Sequence, residues 1–138
     1  MTLLDAYALI AFVIGGPARS QVRAILREGD AAVATANLVE ALDVSERVHG
    51  LTIARSLEII GPLFEASLGV ISLDLAVARR AGEVRARHYH RSQRPISLAD
   101  AVLVASASPG DRIATADLHV LAIAAQEQVE PVPLPEQG

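Results

Sequence analysis

The chain has 138 residues, a formal net charge of −4 and a hydrophobic fraction of 51%, mostly Ala, Leu, Val and Ile; this describes one domain with an aliphatic core and excludes a disordered chain. It has no cysteine, which excludes disulfides and thiolate metal sites and is compatible with a cytoplasmic home. All 12 basic residues are Arg, and the lack of Lys excludes P-loop phosphate binding, Schiff-base chemistry and lysine-dependent receiver domains. The first segment, "TLLD", reads as a short buried strand running into the helix "AYALIAFVIGG", which its glycines close. That apolar run is too short to span a bilayer, and no basic region precedes it, so neither a membrane span nor a signal peptide is expected.

Pro17 opens a second helix through about Arg27, and "REGD" turns the chain. "AAVAT" is a second strand, followed by helices over about Asn37–Val48 and Leu51–Ala66. "GVISL" is a third strand, and Asp74 starts a helix that carries a dense Arg run to about His88. "RSQRP" is a loop, Ser97–Ala107 a buried helix and "SPGD" a turn. "RIAT" is a fourth strand, Asp117–Gln128 a helix, and "VEPVPL" a fifth strand at an edge. Short, continuous apolar strands alternating with helices predict an α/β fold with three layers, α/β/α, around a parallel sheet of four to five strands. The expected organisation is one domain over residues 1–132 and a tail over 133–138 that frays.

Four carboxylates stand in apolar surroundings close to expected helix starts: Asp5, Glu40, Asp100 and Asp117. Singly, each is explained by capping. Asp5 and Asp117 suit N-caps where a strand turns into a helix. Ser97 with Asp100, and Asn37 with Glu40, have capping-box spacing. Together they suggest more, because Asp5 and Asp117 follow strands, and open α/β sheets place their ligand crevice at the carboxyl ends of strands. Four converging carboxylates repel and raise one another's pKa, and a divalent cation removes that conflict. Oxygen-only donors suit Mg²⁺ or Mn²⁺. Such a site suits phosphodiester hydrolysis with no protein nucleophile.

The segments "LLDAYALIA", "ATANLVEAL", "ISLADAVLVASA" and "IATADLHVLAIAA", in this order and spacing, resemble a PIN domain, and specifically the VapC-like ribonuclease toxins of toxin–antitoxin pairs. The likeness covers nearly the whole chain. It implies a PIN-like fold with an acidic quartet of Asp5, Glu40, Asp100 and Asp117. Thr115 falls where the family carries a hydroxyl residue that helps to order the site. The resemblance further implies Mg²⁺- or Mn²⁺-dependent endoribonuclease activity, RNA as substrate, an antitoxin partner and homodimerisation. Asp5, Asp100 and Asp117 are expected to contact metal; Glu40 binds it directly or through water, or orients the attacking water. One departure is Val120, where relatives often carry a bulky aromatic; it touches packing of the last helix. A PIN-like module that binds RNA or protein without cutting is the alternative, and a DNA or flap substrate ranks below it because the short chain has no added arch or second domain.

Other charged residues have two readings each. Arg79, Arg80, Arg85, Arg87, Arg91 and Arg94, with His88 and His90, form either a phosphate-contacting rim or a solvated face in which Arg79 and Glu83 pair. His119 is expected on a helix surface, Asp43 in solvent, Asp74 at an N-cap, and Asp30 and Asp111 in turns. The apolar side chains between Asn37 and Ala66 form either a dimer face or ordinary core.

Overall fold

A computed structural model describes residues 1–136 of the chain. Its order is β1 (Thr2–Leu4), α1 (Ala6–Ile14), α2 (Arg19–Arg27), β2 (Ala31–Ala34), α3 (Thr35–Arg47), α4 (Ile53–Ala66), β3 (Leu68–Ile71), α5 (Leu75–His88), α6 (Leu98–Ser106), β4 (Arg112–Thr115), α7 (Leu118–Gln126) and β5 (Glu130–Pro133). The five strands form one sheet in the order β3-β2-β1-β4-β5, and every neighbouring pair is parallel.

Side chains alternate across the strands, so each strand feeds two cores. Leu4, Val33 and Ala114 face a core shared with α1, α2 and Ile60 of α4. Leu3, Ala34 and Ile113 face the opposite core, filled by α5, α6 and α7. Helix α3 lies between the two: Ala41 joins the first core and Ala36 packs on the second. Val120 is buried in the second core, where the aliphatic side chain fills the last helix's contact without an aromatic ring.

The expected helix and strand sequence is present, with three differences. Pro17 and Ala18 form a turn, and α2 begins at Arg19. Helix α3 begins at Thr35, not Asn37; Ala34 is its N-cap and offers no side-chain cap. Asn37 and Glu40 therefore lie inside the helix and are not a capping box, and Glu40 is not at a helix start. The tail is the third difference. Pro133 closes β5, Leu134 is buried, and its N–H donates to the Thr115 carbonyl. The Tyr7 hydroxyl donates to the Pro135 carbonyl at 2.6 Å. Residues 133–135 are thus held along the sheet edge, because Leu134 has a core to enter; Gln137 and Gly138, the end of the expected frayed tail, lie outside the described residues. Leu134→Ala is expected to destabilise the fold by about 2–4 kcal/mol in urea titrations, the usual range for a buried leucine, whereas a frayed tail would register no change.

Among the described residues no single helix is long and apolar enough to cross a membrane. Helices α1 and α2 pass such a test only as a pair, which bends by 104° and buries its apolar side chains in one core.

Candidate functional site

The chain builds β1, β2 and β3 outward in one direction, then returns to place β4 on the other side of β1. That reversal opens a crevice beyond the carboxyl ends of β1 and β4, as expected at a topological switch point. Leu4 pairs with Ala114 in register, so Asp5 and Asp117, one and two residues past their strands, emerge side by side. Helix α3 brings Glu40 and α6 brings Asp100 to the same place. All four carboxylates line one cavity of about 380 Å³, together with Tyr7, Ile10, Asn37 and Val44.

Three of the acids also do local work. Asp5 Oδ1 accepts from the Ala8 N–H at 2.8 Å and caps α1. Asp117 Oδ1 accepts from His119 and Val120 N–H and caps α7. Asp100 and Ser97 form a reciprocal capping box: Asp100 Oδ2 accepts from the Ser97 N–H, and Ser97 Oγ from the Asp100 N–H, both at 3.0 Å. Each cap engages one carboxylate oxygen, so capping and ligand binding do not compete for the same atom on Asp100 or Asp117. Thr115 is fully buried; its hydroxyl accepts from the Asp117 N–H at 3.1 Å and lies close enough to Asp5 to favour its charged form. It ties the two strand-end acids together.

The electrostatics are one-sided. Among the described residues none of the four acids enters an ion pair. Burial pushes the Asp5 carboxyl up to about 6, against the hydrogen bonds from Thr115 and Ala8, and Asp100 and Glu40 push it further. Burial also raises Glu40, helped by Asp100 and Asp43. Asp100 is raised by burial and then by Asp117, against the Ser97 cap and His119. The sign of every acid–acid interaction here is repulsive.

The donor chemistry fits a hard divalent cation: four carboxylates, no thiolate, and Asn37 on the cavity wall, whose buried Oδ1 has no hydrogen-bond partner among the described residues. The side chains are not drawn together around a point, however. Among the described residues no three Asp, Glu or His side chains are close enough to hold one ion.

Other sequence candidates separate from the site. Asp74 caps α5 through the Val77 N–H, and Asp43 pairs with Arg47. Asp30 and Asp111 both anchor the N-terminal ammonium group, at 3.1 and 3.3 Å. The Arg-rich segment is largely wired into the fold. Arg79 pairs with Glu83; Arg80 donates to the Ala105 carbonyl of α6 and Arg85 to the Ile96 carbonyl in the loop before it; Arg87 pairs with Glu127. His88 is buried: Nδ1 accepts from Arg94 at 3.2 Å, so Nε2–H is the donor to Glu127 at 2.9 Å. These contacts favour the structural reading of the segment over a phosphate rim. His119 is exposed on α7 yet close enough to act on Asp100. Asn37 is the site residue that sequence reasoning assigned elsewhere. Its signal was an amide among Leu, Val and Ala, one helical turn before Glu40 and hence on the same face.

The PIN-domain family profile matches residues 2–125. The chain is a PIN domain. Comparison with curated proteins gives no significant match. Solved structures share the fold of this PIN domain. A toxin–antitoxin complex from Klebsiella pneumoniae superposes with a TM-score of 0.64 at 18% identity, covering 88% of this chain and 91% of the other. VapBC2 from Rickettsia felis, bound to a DNA fragment from its promoter, gives 0.71 at 10% identity, covering 97% and 98%. VapC20 from Mycobacterium tuberculosis, a sarcin-ricin loop cleaving toxin, gives 0.60 at 15% identity, covering 76% and 79%. At these identities the likeness of this PIN domain to each is one of fold.

Proposed function

We propose that this PIN domain is a Mg²⁺- or Mn²⁺-dependent endoribonuclease that acts as the toxin of a toxin–antitoxin pair. One observation carries the reading: four carboxylates from four separate elements line one cavity at the β1/β4 switch point, and among the described residues none of them enters an ion pair. The fold shared with a sarcin-ricin loop cleaving toxin and a toxin–antitoxin complex supports the substrate class and the partner.

Asp5, Asp100 and Asp117 would hold the cation, with Glu40 as a further ligand or as the group that orients the attacking water. The bound cation supplies charge stabilisation at the scissile phosphate and a lowered pKa for water. The chain's own residues do the positioning. Thr115 fixes Asp5 relative to Asp117, and the Ser97 cap holds one Asp100 oxygen while leaving the other for the cavity. Tyr7, Ile10 and Val44 form one wall of the cavity beside the acids. The carboxylates must swing together for an ion to be shared, which their mutual repulsion opposes until the cation arrives.

An antitoxin has a surface to meet. Val39, Leu98 and Leu118 are 66%, 69% and 72% exposed; Val39 and Leu118 adjoin Glu40 and Asp117 in the sequence, and Leu98 lies two residues before Asp100. Exposed apolar side chains in the segments that carry the acids suit a partner that presents an Arg between apolar side chains, and that Arg would compete with metal for the carboxylates. For the homodimer, α4 turns Ile60 into the core and leaves Ile53 and Leu57 exposed, with Val48 just before it; these three are the apolar remainder available to a second copy.

The test is cleavage of total RNA by purified, antitoxin-free protein in Mg²⁺, Mn²⁺ or EDTA. Discrete fragments that require the cation are expected; equal cleavage in EDTA sinks the proposal. The wide placement of the acids favours a second reading, a PIN fold that binds RNA or protein without cutting. Calorimetry separates them, since the binding module has no need for Mn²⁺ affinity in the cavity.

A further inference from the structure

We infer that Asn37 is a positioning residue of the acidic cavity: its Nδ2 clamps α3 to α6 beside Asp100, and its Oδ1 is the acceptor for a water carried by the hydrated cation. The inference rests on the metal-dependent reading above and extends it to a residue outside the acidic set.

Asn37 is 1% exposed. Its Nδ2 donates to the Ala99 carbonyl at 3.4 Å, one residue before Asp100. On α3 it precedes Glu40 by three residues, so both project from one face. A single carboxamide therefore bridges the two helices that carry Glu40 and Asp100. The orientation of the amide follows from the same contact. A flipped group would point oxygen at the Ala99 oxygen, so nitrogen has to face α6 and Oδ1 has to face away.

That oxygen is buried and finds no donor among the described residues. A buried acceptor without a donor is costly, and native folds rarely keep one without a reason. Ser45 and Ser56 also have hydroxyls without partners, but neither lines the cavity; Asn37 does. Among four repelling carboxylates a neutral acceptor has a specific use. It receives a hydrogen bond from a water without adding a fifth negative charge. Mg²⁺ and Mn²⁺ sites built on carboxylates retain several waters, and groups that orient such outer ligands change metal affinity by about 10- to 100-fold when lost. When the acids turn inward around a hydrated cation, a water comes within reach of Oδ1.

The test is Mn²⁺ titration by calorimetry of the wild type, Asn37→Leu and Asn37→Ala, with Asp100→Asn as reference and urea unfolding in EDTA alongside. Leu keeps the branching of Asn without a polar atom but is larger, so relief of the unpaired Oδ1 offsets the added bulk, and the folded Asn37→Leu protein is expected to stay near wild-type stability in EDTA while binding Mn²⁺ about 10- to 100-fold more weakly. A purely structural clip predicts the reverse: lower stability and unchanged affinity in the protein that remains folded. If Leu prevents folding, Asn37→Ala, which cannot clash, carries the comparison. Wild-type affinity in either folded variant overturns the inference while leaving the metal-dependent reading intact. A wild type that binds Mn²⁺ no better than Asp100→Asn overturns both.

Discussion

Asp100→Asn is expected to lower cation-dependent RNA cleavage by about 10³-fold, because a ligand and its charge are lost where developing charge must be stabilised, and several kcal/mol of that stabilisation are worth about three decades in rate. The same variant is expected to fold at least as well as wild type. Asn keeps an oxygen that can accept from the Ser97 N–H, so the helix remains capped. It removes a carboxylate that burial and Asp117 both hold above the ordinary range. Loss of activity with retained or increased stability in EDTA is the signature of a group placed for function at the expense of the fold. Two measurements check it: fragment yield from total RNA in Mn²⁺, and the urea midpoint in EDTA. Undiminished cleavage would remove Asp100 from the chemistry. A lower midpoint would show that the protein itself compensates this carboxylate, and the repulsion argument would fall.

The second large effect is an inverted pH dependence of stability without metal. The Asp5 carboxyl titrates at about 6 in the fold, against an ordinary value of 3.8. The folded state therefore binds the proton more tightly than the unfolded state. Between those two values stability rises as pH falls; above about 6 the full cost of the buried charge is present. The difference between about 6 and 3.8 corresponds to about 3 kcal/mol at 1.36 kcal/mol for each pH unit. Glu40 and Asp100 are raised as well and add in the same direction. In EDTA the protein is expected to be more stable at pH 5 than at pH 7.5, opposite to a protein whose acids are salt-bridged. Asp5→Asn, which keeps an acceptor for the Ala8 N–H, is expected to remove most of the slope. Saturating Mn²⁺ is expected to remove it too, since a ligand at 100 times its Kd adds about 2.7 kcal/mol to the folded state. Urea titrations at the two pH values decide the matter; a profile that rises from pH 5 to 7.5 in EDTA would contradict the burial of an uncompensated Asp5.

Both effects come from one structural fact. The acids line one cavity, with Asp5 buried and Asp100 half-buried, and among the described residues none of them pairs with an Arg. Twelve Arg side chains are available in the chain, yet those of the α5 segment are spent on Glu83, Glu127, the Ala105 and Ile96 carbonyls and His88. Composition displayed the Arg cluster but not its partners. Glu127 lies far along the chain from Arg87, and no local pattern links them. The same limit explains Asn37. A polar residue three before a Glu is a valid capping box and also a valid pair inside a helix. The choice depends on where β2 ends, and β2 runs to Ala34 because all four of its residues are buried in the sheet. Leu134 repeats the lesson at the other end. Its neighbours are proline and polar residues, and only the nearby core shows that it is drawn in.

The order of the acids along the chain pointed to a PIN domain through its resemblance to the family, and patterns that act over a few residues were readable directly: the alternation of strands and helices, and the caps at Asp5, Asp74, Asp117 and Ser97–Asp100. These depend on backbone hydrogen bonding and periodic burial close in sequence, which each segment expresses alone. The pairing of β1 with β4, the wiring of the Arg segment, the role of Asn37 and the separation between the four carboxylates came from contacts across the whole chain. Such contacts are selected by how the helices and the sheet bury their apolar faces together, and no single segment carries that information.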